Sequence, residues 1–369
     1  MKRDVRILVG TASLKLGTRI LEHLNDAQYA SSDEAYTRGT LVVNKFSNDN
    51  TFVQIGETVR DADVFIIQSS GFPVNDRLME LLITIDACRR SSAGRISVVM
   101  PYFPYSRSDK IDQPRIALTA RLVADLIQAS RADRVITMDL HADQIQGYFN
   151  VAVDHLKATA LLAQYVEEHY LAGLSAEERR TQWVAVSPDA GAAKRAQTFA
   201  VALGLDLAVV LKQRRRNDDT SEIMHVIGEV KGRHCLIFDD EIDTAGTLVN
   251  TINSLCTDFG MQDAVAVVTH GILSGRSLKT IEEATALKSV VVTDTLDVPH
   301  VGETRHIRYQ SGGQHLEEDI NVTKIHECSV AGLFAATIRA IHLGESVTAV
   351  YDRWNVGKRK INIFGEDEP

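Results

Sequence analysis

The sequence has no apolar run approaching the roughly 20 residues that a membrane-spanning helix needs, so no membrane span is expected. Its opening, Met1-Lys2-Arg3-Asp4, leads into Val5–Val9, which is too short for a signal-peptide core, and a cytoplasmic location is the expectation. Cysteine is scarce. Cys88, Cys235, Cys256 and Cys328 are scattered and none forms a CxxC pair, which argues against a zinc site or a disulfide framework. They read as small buried apolar residues of a reducing compartment. Positive charge is also short: the net charge is -9, which argues against a general nucleic-acid binder. A small anionic substrate remains compatible, because it needs only a local basic patch. There is no Walker A sequence and no G-x-G-x-x-G. Gly271 to Gly275 is not a G-x-S-x-G elbow, so hydrolase chemistry is unsupported.

What is present is a strand-helix rhythm. Apolar runs at Val5–Val9, Val64–Gln68, Ile96–Met100, Val135–Met138, Trp183–Val186, Leu207–Leu211, Cys235–Phe238, Val265–Thr269 and Val290–Thr293 read as strands. Most are continuous, as parallel strands covered on both faces should be. Amphipathic stretches at Leu78–Arg90, Ala117–Gln128, Leu156–Tyr170 and Leu248–Phe259 lie between them. Leu174–Gln182 reads as a surface turn. The order strand, helix, strand, charged loop occurs in each half of the 369 residues. The expectation is an α/β protein of two similar domains, each a mainly parallel sheet flanked by helices. Residues 1–155 and 156–351 form the domains, and 352–369 is a loosely held tail.

The sharpest chemical signal runs from Cys235 to Leu248. An apolar strand ends in Asp239 and Asp240, and Asp243-Thr244-Ala245-Gly246-Thr247 then turns into a helix. Carboxylates at the strand end can accept hydrogen bonds from vicinal ribose hydroxyls. The helix start offers unpaired N–H groups and the positive end of a dipole for a phosphate. Gly246 lets a phosphate approach the backbone closely, and Thr244 and Thr247 add hydroxyl donors. The plainer alternative is a turn capped by Asp243 or Thr244. A cap accounts for one such residue and not for the whole run.

This run resembles the signature of proteins that handle phosphoribosyl diphosphate, both phosphoribosyltransferases and ribose-phosphate pyrophosphokinases. The rest of the chain resembles the second group. Phe46-Ser47-Asn48 is similar to its nucleotide loop, and Asn75–Leu82 to its first-domain helix. Met100–Arg107 is similar to the strand and loop over the adenine, and Thr137–Phe149 to its most recognisable stretch. Ser187–Arg195 resembles its diphosphate loop, and Thr269–Gly275 and Glu345–Val347 match near the end. The resemblance spans about Val5 to Tyr351, whereas a simple phosphoribosyltransferase has one such domain.

The resemblance implies transfer of the diphosphoryl group of ATP to the 1-hydroxyl of ribose 5-phosphate, with Mg2+ as cofactor. The products are phosphoribosyl diphosphate and AMP. It implies a homo-oligomer, a hexamer, with no nucleic-acid or membrane partner. It assigns Phe46, Asn48, Asn50, Arg107, Ser108 and Asp109 to the nucleotide, and His141 and Asp189 to the metal. Asp239, Asp240, Asp243, Thr244, Ala245, Gly246 and Thr247 fall to the ribose phosphate. Lys212 and Arg214 match the Lys-x-Arg of its mobile catalytic loop, although a one-residue slide would put Gln213 in the lysine's place. Two alternatives stay open: a non-catalytic regulatory relative, and a phosphoribosyltransferase. Three departures surround the nucleotide. Asn50 stands where the family has Glu, Ser108 stands where it has Gln, and the basic run after it is thinned at Lys110–Arg115.

Overall fold

The computed structural model describes residues 4–26, 36–214, 222–311 and 313–354. The chain forms two compact units. The first comprises residues up to Lys157, Thr295–Asp297 and the segment from Ser329; the second comprises Ala158–Asp294 and Val298–Cys328.

The first unit is built on β1 (Val5–Val9), β2 (Leu41–Lys45), β3 (Thr51–Ile55), β4 (Asp63–Ile67), β5 (Arg95–Met100), β6 (Arg134–Met138) and β7 (Ala152–Leu156), with helices α1 (Leu14–Leu24), α2 (Val74–Arg90) and α3 (Thr119–Ala129). Five strands form an all-parallel sheet in the order β1-β4-β5-β6-β7. β2 and β3 pair antiparallel as a separate hairpin. The apolar runs predicted from sequence are these buried strands. Ile66, Ile96, Val98 and Val135 pack with Leu81, Ile85, Val123 and Ile127 of α2 and α3 in one core. The β2–β3 hairpin and β7 had no continuous apolar run to announce them, since their residues are largely half-buried or exposed.

The second unit begins with α4 (Thr159–His169) and α5 (Ala176–Gln182). β8 (Trp183–Ser187), α6 (Ala193–Leu203), β9 (Asp206–Arg214), β10 (Glu222–Ile227), β11 (His234–Ile242) and α7 (Gly246–Phe259) follow. Then come β12 (Asp263–Gly271), α8 (Ser277–Glu283), β13 (Leu287–Thr293), β14 (Thr304–Ser311), β15 (Gln314–Asn321) and β16 (Ile325–Cys328). Its main sheet has the order β10-β9-β8-β11-β12-β13-β16 and is parallel except for β9–β10. The expected surface turn before β8 is instead helix α5. Ser175 and Glu178 close a reciprocal capping box at its start.

Helices α9 (Ala331–Leu343) and α10 (Val347–Trp354) complete the first unit, where α9 packs on α1. This differs from the expected second domain running unbroken to residue 351. A polar anchor fixes the return. Arg95 forms a short, two-pronged ion pair with buried Asp63 and donates to the Ile341 carbonyl at 3.1 Å. His342 Nδ1 lies 3.0 Å from the same carboxylate. Burial alone would push the Asp63 carboxyl up, but the hydrogen bonds from His342 and Arg95 hold it below the ordinary carboxylate range. Such a contact joins residues 279 apart in sequence, so no local pattern reveals it.

All four cysteines are free thiols. Burial pushes Cys88, Cys235 and Cys328 up to about 12, which makes them unreactive packing residues. Cys256 is only partly buried.

Candidate active site

In the second unit the chain runs outward from β8 to β9 and β10 on one side, and from β11 to β12, β13 and β16 on the other. The strand order therefore reverses between β8 and β11. Ligands of open α/β sheets bind beyond the carboxyl ends of the strands at such a switch point. There β8 ends at Ser187, followed by Pro188-Asp189, and β11 carries Asp239 and Asp240 close to its end at Ile242. The five-stranded sheet of the first unit has no such reversal, because β1 is its edge.

Asp239 and Asp240 are adjacent in a strand, so they point to opposite faces and have different surroundings. Asp240 is 5% exposed, and Arg195 of α6 lies 3.2 Å from its carboxylate. Asp239 is half-buried; its Oδ1 accepts the Asp240 N–H at 2.9 Å. Burial first, then the neighbouring Asp240 carboxylate, and lastly Asp189 raise the Asp239 carboxyl well above the usual range.

The turn after β11 is open to a ligand. Ala245 adopts φ +62° and ψ -9°, left-handed values, and no side chain caps the α7 start. Such a conformation costs an L-residue about 1–2 kcal/mol, and strain of this kind gathers at functional turns. A methyl group built on Gly246 would meet nothing closer than Thr244 Oγ1 at 4.0 Å. The space beside the Gly246 Cα is thus open. The capped-turn alternative fails for α7. Asp243 is instead held by Ser274 Oγ, which donates to its carboxylate, while Thr244 and Thr247 are exposed.

Asp189 lies in the loop between β8 and α6. It is exposed, and its Oδ1 accepts the Ala192 N–H at 2.9 Å, which closes that turn. Lys212 and Arg214 are not in a loop. They continue β9, where Lys212 pairs with Met224 and Arg214 with Glu222. Residues 215–217 of the expected cationic loop lie outside the described residues.

The remaining candidates belong to the first unit. Phe46, Asn48 and Asn50 gather in the β2–β3 turn, closed by Phe46 N–H to the Asn50 carbonyl at 2.9 Å. Phe46 is exposed, and its ring meets Phe52 edge-on at 5.5 Å. Asn48 Oδ1 accepts the Asn50 N–H at 3.3 Å. Arg107 is exposed and Ser108 is half-buried in the irregular segment between β5 and α3. Asp109 follows in the same segment. It is 5% exposed, Gln144 donates to its Oδ2 at 3.4 Å, and the Tyr148 hydroxyl donates to its carbonyl. Its other carboxylate oxygen, Oδ1, is buried and has no hydrogen-bond partner among the described residues. A cavity of about 480 Å³ lies between the hairpin and α2, with Thr11, Lys45, Asp76, Arg77 and Glu80 among its lining. None of the candidate nucleotide residues lines it.

His141, half-buried, follows β6 in the Asp139–Asp143 loop. No group of three or more His, Cys, Asp or Glu is gathered as a metal site among the described residues. Sequence reasoning missed Arg195 as the partner of Asp240 and His155 as the support of the His141 loop. Neither had a spacing signal, because each partner comes from a different element.

Two family profiles match the chain. The N-terminal domain of ribose phosphate pyrophosphokinase matches residues 5–130. The phosphoribosyl synthetase-associated domain matches residues 219–352. The ribose-phosphate pyrophosphokinase of Caldanaerobacter subterraneus is 42% identical over 94% of this chain and 98% of its own. That of Rhizobium meliloti is 42% identical over 89% of this chain and 100% of its own. Among solved structures, phosphoribosylpyrophosphate synthetase from Mycobacterium smegmatis superposes with a TM-score of 0.77 at 34% identity, covering 93% of this chain and 100% of that one. With both halves matched and whole relatives covered, the chain belongs to the ribose-phosphate pyrophosphokinase family.

Proposed function

We propose that this protein transfers the β,γ-diphosphoryl group of ATP to the 1-hydroxyl of ribose 5-phosphate, releasing AMP and phosphoribosyl diphosphate. The observation that carries the reading is the uncapped α7 start beside Asp239 and Asp240 at the sheet's switch point. It offers N–H donors for a phosphate and carboxylate acceptors for ribose hydroxyls within one turn of chain.

In this reading the α7 N-terminus holds the 5-phosphate, with Thr244 and Thr247 as hydroxyl donors. Asp239 accepts from the ribose hydroxyls. Arg195 pairs with Asp240 and holds it in place. Attack of O1 on the β-phosphorus forms one P–O bond and breaks the bond to the AMP oxygen. The hydroxyl proton leaves to solvent or to a neighbouring base. Negative charge spreads over nonbridging oxygens, so positioned cations matter most. Lys212 and Arg214 are the protein's cations for that charge. Phe46 stacks on the base, while Asn48, Asn50, Arg107 and Ser108 supply its polar contacts.

When bound, Mg2+ would withdraw charge from the phosphates, and Asp189 is the second unit's ligand for it. The donor set fits. This ion keeps waters and substrate oxygens and needs only one or two protein ligands. Asp189 brings a hard carboxylate oxygen, exposed at the switch point. His141 is a softer donor and is the first unit's candidate metal ligand. A cytoplasmic location agrees with four free cysteines. No described helix is long and apolar enough to cross a membrane. We infer a homo-oligomer, a hexamer, which light scattering tests directly.

The deciding experiment is AMP release from Mg2+ and ATP, with and without ribose 5-phosphate. Release that depends on ribose 5-phosphate is expected. No release under any condition would favour the regulatory reading. Consumption of phosphoribosyl diphosphate with a base would favour a phosphoribosyltransferase.

A further inference from the structure

The loop that carries His141 is shaped from behind by the end of β7. Asp139 holds φ at +36°, a left-handed value for a residue that is not glycine. Such a conformation persists only where its surroundings over-determine it. Consecutive residues of one segment do so here. Asp139 N–H donates to the Leu156 carbonyl at 3.0 Å. Leu140 N–H donates to His155 Nε2 at 2.9 Å. Lys157 Nζ lies 2.7 Å from the Asp143 carboxylate, 3.9 Å from that of Asp139 and 3.3 Å from His155 Nε2. The loop is thus gripped at residues 139, 140 and 143, on both sides of His141.

The His155 side chain is only 4% exposed, so it is built into the unit and not offered to a ligand. By accepting a backbone N–H through Nε2 it carries its ring hydrogen on Nδ1. That nitrogen faces the Asp143 carboxylate at 3.6 Å. The ring is therefore oriented at both ends. Groups that orient a ligand from behind matter nearly as much as the ligand itself.

We propose that His155, seconded by Lys157, is a positioning residue for the reaction: it sets the backbone at Leu140 so that His141 meets the metal-nucleotide complex in one fixed orientation. This rests on the reading of His141 given above. His155 removes no proton and touches no reacting atom. Its contribution is geometric preorganisation, which weakens nucleotide binding and turnover when lost.

The test compares His155→Leu, which loses the acceptor, with His155→Gln, which can restore one. Lys157→Met and His141→Ala are run beside them. Each is measured for melting temperature, for calorimetric affinity toward a non-hydrolysable ATP analogue with Mg2+, and for kcat and both Michaelis constants. His155→Leu should weaken the analogue about tenfold, the lower end for outer-shell changes, and leave the Michaelis constant for ribose 5-phosphate unchanged. His155→Gln should recover most of the loss. Lys157→Met, at a partly exposed residue, should shift the same quantity in the same direction by less. It decides the matter if His155→Leu does not fold. An unaltered His141→Ala would overturn the reading of His141 and the proposal with it. An impaired His141→Ala beside normal nucleotide binding in His155→Leu would overturn the proposal alone. So would equal losses toward both substrates, or a lowered melting temperature that His155→Gln does not relieve along with binding.

Discussion

Arg195 lies 3.2 Å from Asp240, joining the first turn of α6 to the carboxyl end of β11 across the switch point. The two adjacent acids of the ribose motif thereby have different electrostatic surroundings. Asp240 has a cation beside it. Asp239 has carboxylates beside it, and its proton is held more tightly than an ordinary aspartate holds one. Two residues that look interchangeable in sequence differ in their neighbours, a guanidinium for one and carboxylates for the other.

Asp239→Asn is expected to stabilise the unliganded protein while weakening ribose 5-phosphate. A carboxyl whose folded pKa is raised binds its proton more tightly in the folded state than in the unfolded one. Stability therefore falls as pH rises from the unfolded value, about 3.9, toward the folded one. The amide removes that penalty. Melting temperature at pH 8 should rise by about 1–4 °C, with a smaller difference at pH 4. Calorimetry should show ribose 5-phosphate binding sharply weakened and nucleotide binding kept, the more so in the double variant with Asp240→Asn. Unchanged ribose 5-phosphate affinity in the double variant would refute the assignment of this loop.

Gly246→Ala separates packing from binding. The added methyl enters open space, with nothing closer than 4.0 Å, so melting temperature should hold within about 2 °C. The same methyl would stand where the 5-phosphate approaches the backbone. Ribose 5-phosphate affinity should fall about tenfold or more, a loss of about 1.4 kcal/mol. Full affinity would mean that the phosphate sits elsewhere.

Lys212→Ala should lower turnover far more than it raises either Michaelis constant, because a charge used mainly in the transition state acts on kcat. A loss of about 100-fold or more matches one well-placed donor. Gln213→Ala is the control. A crippled Gln213→Ala beside a mild Lys212→Ala would move the loop's register by one residue.

The donor specificity should be loose. Phe46 stacks on any base. Asn50 can present a carbonyl or an NH₂ group, whereas a carboxylate would repel a 6-oxo base. Ser108 is too short to replace a glutamine directly. The comparison is kcat/KM for ATP, GTP and CTP with saturating ribose 5-phosphate. GTP is expected to serve within about 100-fold of ATP, and a preference for ATP on the order of 1,000-fold would show that other groups read the base.

Asp63→Asn should loosen the return of α9. The Asp63 carboxyl is held below the ordinary range. Its stabilisation is present above the unfolded value of about 3.9 and is lost as pH falls through the lower folded one. Removing the charge leaves Arg95 and His342 without their shared anion and should cost about 2 kcal/mol or more. Amide exchange should quicken in α9 before it does in β8 or β11. Uniform quickening would show that the anchor is not local.

The sequence by itself determined the α/β class, the buried parallel strands and the ribose motif. Each of these is local: a continuous apolar run reports burial on both faces, and acids, turn residues and a helix start fall within a dozen consecutive positions. The β2–β3 hairpin, β7 and α5 were less legible, since half-exposed elements carry little hydrophobic pattern. The switch point, the split between Asp239 and Asp240, the burial of Asp109 and the grip of His155 on the His141 loop were decided only in three dimensions. Arg195 reaches Asp240 from another element, and His342 reaches Asp63 across 279 residues. The environment of a carboxylate is set by what surrounds it in space. Burial and neighbouring charge move its proton affinity, and neither is written at the position itself.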